Sequence, residues 1–146
     1  MIYLAGDHHA EPTLAMIRDY LRDHGLEYQE FGYRTGKDPE AGLQDFIPQV
    51  AEGVRSDSQN TGILVCGSGS GVEIGANRFT GIRAALCHNP QCAEWARVYD
   101  DANILCLASW AIGSLDLCRI LDSWYSSEYD GSTRRRKMLQ VFDLWH

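Results

Sequence analysis

Residues 61–77 read TGILVCGSGSGVEIGAN, from Thr61 to Asn77: a short apolar run ending in Cys66, a turn Gly67-Ser68-Gly69-Ser70-Gly71, and a segment with helical character. An apolar run of this length followed directly by a glycine-rich turn and a helix is the opening of a strand–turn–helix unit of an α/β protein. The same stretch carries chemistry. It delivers a thiol to a turn of backbone N–H groups beside a helix N-terminus, so a potential base lies next to a potential cradle for negative charge.

Outward from this stretch the pattern repeats. Strand-length apolar runs occur at Ile2–Ala5, Tyr28–Phe31, Gly62–Cys66, Arg83–Cys87 and Asn103–Leu107, and the segments between them carry helical spacing or helix starts. Leu14, Ile17 and Leu21 share one helical face after Pro12, and Asn89-Pro90 opens a helix that contains Ala93 and Ala96. Further helices are predicted over Leu115–Trp124 and from about Ser132 to Leu144, and Gly32–Gly42 reads as a surface loop. Five strands alternating with helices predict an α/β fold in three layers, a five-stranded parallel sheet covered on both faces. No repeat, low-complexity segment or linker interrupts the pattern, so residues 1–146 are read as a single domain.

Composition narrows the function. The chain has 146 residues, 45% of them hydrophobic, enough for a core of its own, and no apolar run approaches the roughly 20 residues that span a bilayer. A net charge of −7 argues against a nucleic-acid surface. The N-terminal Met1-Ile2-Tyr3-Leu4-Ala5-Gly6 lacks the basic region of a signal peptide, and a cytoplasmic location is expected. Cys66, Cys87, Cys92, Cys106 and Cys118 form an odd set without a CxxC pair, which supports neither a disulfide framework nor a thiolate zinc site; most are expected to be small core residues. The glycine turn does not extend to GxGxxG, since residue 72 is Val, and no Gly-Lys-Ser/Thr follows it, so dinucleotide and P-loop readings fail.

In a parallel sheet, ligands bind beyond the carboxyl ends of strands where strand order reverses. Asp7-His8-His9 follows the first strand and Cys66 with its turn follows the third. If those strands are neighbours, carboxylate, imidazole and thiol converge. Tyr99-Asp100-Asp101-Ala102-Asn103 precedes the fifth strand, at the amino end of the sheet, and needs a different route into such a site, which a neighbouring subunit would provide.

Gly6-Asp7-His8, the block from Gly62 to Gly69, Ala76-Asn77-Arg78, Gly81-Ile82-Arg83-Ala84-Ala85, Asp101-Ala102-Asn103 and Tyr129-Asp130-Gly131 together resemble the ribose-5-phosphate isomerase B and galactose-6-phosphate isomerase family over nearly the whole chain. The resemblance implies a Rossmann-like domain and a homodimer or tetramer, with active sites at the subunit interface. It further implies aldose–ketose isomerisation of a sugar or sugar phosphate through a cis-enediolate, with no metal or cofactor. On it, Cys66 matches the base that moves a proton between C2 and C1, and Ser68 matches a hydroxyl that assists the relay. Amides of Gly67, Gly69, Ser70 and Gly71 would hold charge on the sugar oxygen. Asp7, a catalytic residue on this resemblance, and Asp100 would hold hydroxyls or move protons between O1 and O2, and His8 would contact hydroxyls. Val72 stands where some relatives place a glutamate base, and the neighbouring Glu73 reads as a cap or surface charge.

Departures from the family pattern bear on the substrate. Tyr99 and Asp100 stand where the family has His and Asn, the His being assigned to ring opening. A phenol titrates near 10 against about 6.5 for imidazole, which makes Tyr99 the weaker acid–base group near neutrality. His8 or His9 would then compensate, or the sugar needs no ring opening. Trp110, Thr133 and Lys137 stand where the family has arginines. Each lost guanidinium–phosphate contact is worth about 1.5–3 kcal/mol. The Arg134–Lys137 cluster either binds phosphate in another geometry or is a solvated helical face. The sugar is therefore expected to depart from ribose 5-phosphate, and the opposing reading is a sugar-phosphate-binding subunit without catalysis.

Overall fold

The computed structural model describes every residue except Thr35, Gly36, Asp38 and His146. Five strands, β1 (Ile2–Gly6), β2 (Tyr28–Gly32), β3 (Thr61–Cys66), β4 (Ala84–Leu86) and β5 (Ile104–Ala108), form one all-parallel sheet in the order β2-β1-β3-β5-β4. Helices α1 (Glu11–Asp23), α2 (Leu43–Arg55), α3 (Ser70–Ala76), α4 (Pro90–Asp100), α5 (Ser114–Ser126) and α6 (Thr133–Phe142) connect and follow them. This is the expected three-layer Rossmann-like architecture. Each predicted strand is present with ends shifted by a residue or two, and Thr35, Gly36 and Asp38 of the predicted Gly32–Gly42 loop lie outside the described residues.

Alternation along the strands sorts side chains into two cores. Leu4, Ile63, Val65, Leu105 and Leu107 pack with α1, α4 and α5 around the fully buried Trp124. Ala5, Leu64, Cys66, Ile104 and Cys106 pack on the other face with α2 and α3. Strand β5, ILCLA, is buried at all five positions, whereas β2, YQEFG, is buried only at Gly32, as a central and an edge strand should be. The sixth helix lies outside these layers against α4, where the Asp130 N–H donates to the Val98 carbonyl at 2.9 Å.

Local signals account for the helix starts. The Asn89 side chain accepts the Cys92 N–H, with Pro90 in the first turn of α4. At the far end of that helix Asp101 adopts the left-handed conformation (φ 48°), the only non-glycine residue with positive φ among those described. Arg83 and Arg97 hold its carboxylate, at 2.9 and 3.8 Å. The short edge strand β4 is closed by α3: Asn77 bonds both the N–H and the carbonyl of Ala84, and Glu73 accepts the Leu86 N–H at 2.9 Å. Glu73 and Asn77 are thus strand partners supplied by side chains. No helix among the described residues is long and apolar enough to cross a membrane.

Candidate active site

Strands β1 and β3 are neighbours, with Gly6 paired to Val65 in parallel register, and from them the chain goes to opposite sides of the sheet. Their carboxyl ends therefore flank the topological switch point, where a crevice opens. Asp7 and Cys66 come one register step later, about 5 Å apart across the strands. Asp7 caps the single 3-10 turn His8–Ala10, its Oδ1 accepting the His9 N–H at 3.1 Å, which turns both exposed imidazoles out at the crevice.

Cys66 is 5% exposed, at the foot of the glycine turn. The Gly69 N–H donates to its Sγ at 3.2 Å, a contact that strengthens as negative charge collects on sulfur. Gly69 can place that N–H only because it lacks a side chain. Its φ is +76°, and an added Cβ would meet Leu86 Cδ1 at 2.4 Å and the Ala108 N at 3.1 Å. The Ser70 N–H is taken by Ser68 Oγ at 3.3 Å, with both serines exposed.

The loop after β5 completes the crevice. The Ser109 N–H donates to the Cys66 carbonyl at 2.9 Å, Ser109 Oγ donates to the His9 carbonyl at 2.9 Å, and the Trp110 N–H donates to the Gly67 carbonyl at 3.0 Å. Three strand ends are laced together by one serine and its neighbour. His8 and His9 lie with ring centroids 3.9 Å apart, and Trp110 stands nearly perpendicular to His9 at 5.2 Å.

The other thiols differ in setting. Burial pushes the Cys87 thiol up to about 12 and raises that of Cys106 well above its ordinary value. Cys66, Cys87 and Cys106 are buried, Cys92 is half-buried and Cys118 is exposed on α5, so most of the cysteines are core residues, as expected.

A model of the ribose/galactose isomerase family matches residues 2–141. The chain belongs to that family. It is 33% identical to ribose-5-phosphate isomerase B of Escherichia coli K12 over 82% of this chain and 78% of that one. It is 32% identical to the D-erythrulose-4-phosphate isomerase of Pectobacterium atrosepticum, covering 86% of this chain and 82% of the relative. Among solved structures, ribose-5-phosphate isomerase B of Mycoplasma genitalium with bound ribulose-5-phosphate superposes with a TM-score of 0.87 at 30% identity, over 97% of this chain and 93% of that one. The family's members are aldose–ketose isomerases, and this chain is an enzyme of that class.

Within one chain the crevice gathers Asp7, His8, Cys66, Ser68 and the turn Gly67–Gly71. It does not gather Tyr99, Asp100, Arg134 or Lys137. Helix α4 runs back along the sheet, so Tyr99 and Asp100 lie at the amino edge of the strands, roughly a strand length of 17 Å from Cys66. Tyr99 is covered there by Arg135, whose guanidinium sits 4.2 Å above the ring, and Arg134 and Lys137 are exposed on α6. Ser109 escaped the sequence reading. Its signal was a small polar residue directly after an apolar run, which has meaning only once β5 is known to lie beside β3.

Proposed function

We propose that this protein interconverts an aldose and a ketose, a sugar phosphate in the first instance, through a cis-enediolate, with Cys66 as the base. The observation that carries the reading is the Gly69 N–H on Cys66 Sγ at 3.2 Å, inside the switch-point crevice of a chain of this family. The ionised thiolate removes the C2 proton of the open-chain aldose, and the C2–H electron pair becomes the C1–C2 double bond as charge moves to O1. The proton then returns from Sγ to C1, and a proton passes between O2 and O1, so the redox change stays within the sugar. Ser68 Oγ and the Asp7 carboxylate carry that second proton, and the turn amides other than those of Gly69, on Cys66 Sγ, and Ser70, on Ser68 Oγ, offset the oxyanion. His8 and His9 are the imidazoles on hand for ring opening.

The site is completed in this reading by a second copy of the chain, which brings Tyr99 and Asp100, with Arg134 and Lys137, to the crevice of its partner. Supporting it, a cavity of about 660 Å³ opens beside the edge of β4, bounded by Asp100, Leu139, Phe142 and Trp145. Phe142 and Trp145, 42% and 66% exposed, lie there tilted at 37° to each other with centroids 4.9 Å apart. An apolar rim of this kind is what a subunit interface covers.

Solvent deuterium incorporation tests the chemistry. Aldose and ketose phosphates of four to six carbons, and the free sugars, are incubated with the protein in D2O. Exchange at C1 or C2 that is lost in Cys66→Ala supports the reading. Binding without exchange for every sugar would instead make this chain a sugar-phosphate-binding subunit.

A further inference from the structure

The isomerase reading leaves one group at the crevice without a task. Trp110 is 70% exposed, yet its position is held firmly. Its N–H is bonded to the Gly67 carbonyl at 3.0 Å, and Ser109 before it is tied to both Cys66 and His9. A Cβ built on Gly67 would meet Trp110 Cε2, Cζ2 and Cδ2 at 2.4, 2.5 and 2.7 Å. Those atoms include both carbons shared by the two indole rings, so Gly67 lies under the face of the indole and not at its rim. His9 stands nearly perpendicular at 5.2 Å. One face is thus packed on the residue that follows Cys66, His9 stands against the ring, and 70% of the residue stays open to solvent.

A large aromatic surface fixed in place and left bare beside a reactive group is the mark of a ligand-covered surface, since hydration of apolar area is unfavourable. Sugars fit such a face because one side of the carbon chain presents C–H groups, which carry the slight positive charge that the negative π-face attracts. The side chains that these contacts gather at Cys66 are Asp7, the two histidines, serines and Trp110. We propose that Trp110 is a substrate-stacking, specificity-determining residue, whose free indole face receives the C–H side of the sugar while its C1–C2 end lies over Cys66. Recognition at this wall then depends on the stereochemistry and length of the carbon chain. The inference rests on the isomerase reading.

The test is steady-state kinetics of the native protein and of Trp110→Phe, Trp110→Leu and Trp110→Ala, with D-ribose 5-phosphate, its C3 epimer D-xylose 5-phosphate and free D-ribose. Removal of the aromatic face in the Leu and Ala variants is expected to raise KM about three- to tenfold and to shrink discrimination between the epimers, with kcat held within about twofold. The Phe variant, which keeps a face over Gly67, is expected to restore most of the loss. A direct reading comes from protein in which Trp95 and Trp145 are Phe and Cys66 is Ala: D-ribulose 5-phosphate should quench its fluorescence, and the quench should vanish when Trp110 is also replaced by Phe. If Phe performs no better than Leu, or if KM and epimer discrimination are unchanged in all three variants while the native protein turns over sugar, the stacking role is overturned and the isomerase reading stands. A native protein that exchanges no sugar in D2O overturns both.

Discussion

At the scale of single residues, the site depends on positions where a side chain is excluded. Gly69 has φ +76°, and an added Cβ would strike Leu86 Cδ1 at 2.4 Å, whereas Gly25, at φ +65°, has nothing within 4 Å of that position. The two glycines separate backbone strain from steric clash. Gly25→Ala should cost the left-handed penalty alone, about 1–2 kcal/mol in urea unfolding. Gly69→Ala should cost more and should also lower kcat, because the turn must shift the N–H now bonded to Cys66 Sγ. Equal stability losses with unchanged turnover would show that the amide has no part in catalysis. The thiol, glycine turn and Asp7-His8 pair were all legible along the chain, because the residue types themselves carry the chemistry. The role of Ser109 was not, since it is defined by contacts across strand ends, and for Trp110 the sequence marked only a position where the family has an arginine, not its packing on Gly67.

Among the elements, α3 does more than present the glycine turn. Its Asn77 and Glu73 occupy the outer hydrogen-bonding edge of β4, which would otherwise offer free N–H and C=O groups to another chain. Asn77→Ala strips partners from both polar groups of Ala84 and should cost about 1–2 kcal/mol, tempered by water at a partly exposed site. Glu73→Gln keeps an acceptor for the Leu86 N–H and should cost less than half as much. Urea midpoints for the two variants decide the point, and an Asn77→Ala midpoint equal to that of the native protein would mean that the edge needs no cap. Along the sequence Asn77 stands only within the Ala76-Asn77-Arg78 block; its partner is β4, and Glu73, which read as a cap or surface charge, caps a strand and not a helix. Both assignments wait on the crossover that brings β4 beside α3.

For the whole molecule, burial of thiols predicts how stability changes with pH. Cys87 keeps its proton up to about 12 in the folded state because burial disfavours the thiolate, while an unfolded cysteine ionises near 8.5. Above that value the unfolded chain binds fewer protons than the native one, so stability is fully present below about pH 8.5 and falls as pH rises toward 12. Cys106 acts in the same direction. Urea midpoints at pH 7, 9 and 10 should fall in that order, and Cys87→Ala should flatten the fall; a flat native profile would contradict the assignment. Subunit completion of the site is checked by complementation. Cys66→Ala and Asp100→Ala are each expected to be inactive, whereas a mixed population unfolded and refolded together should recover up to about a quarter of native activity, since a mixed dimer joins one intact Cys66 crevice to one intact Asp100. No recovery would place each active site within a single chain.

By itself the sequence determined the class of fold and the chemical group at its centre. Apolar runs of strand length alternating with helical spacing leave little besides a covered parallel sheet, and a thiol before a glycine turn is a local arrangement that needs no distant partner to be read. Tertiary structure decided the rest, because it depends on strand order. The insertion of β5 between β3 and β4 brings Ser109 and Trp110 over Gly67, and the return of α4 along the sheet carries Tyr99 and Asp100 away from Cys66 to its opposite edge. Neighbours in a sheet are chosen by burial across the whole molecule, and no stretch of chain records on its own which strand will lie beside it.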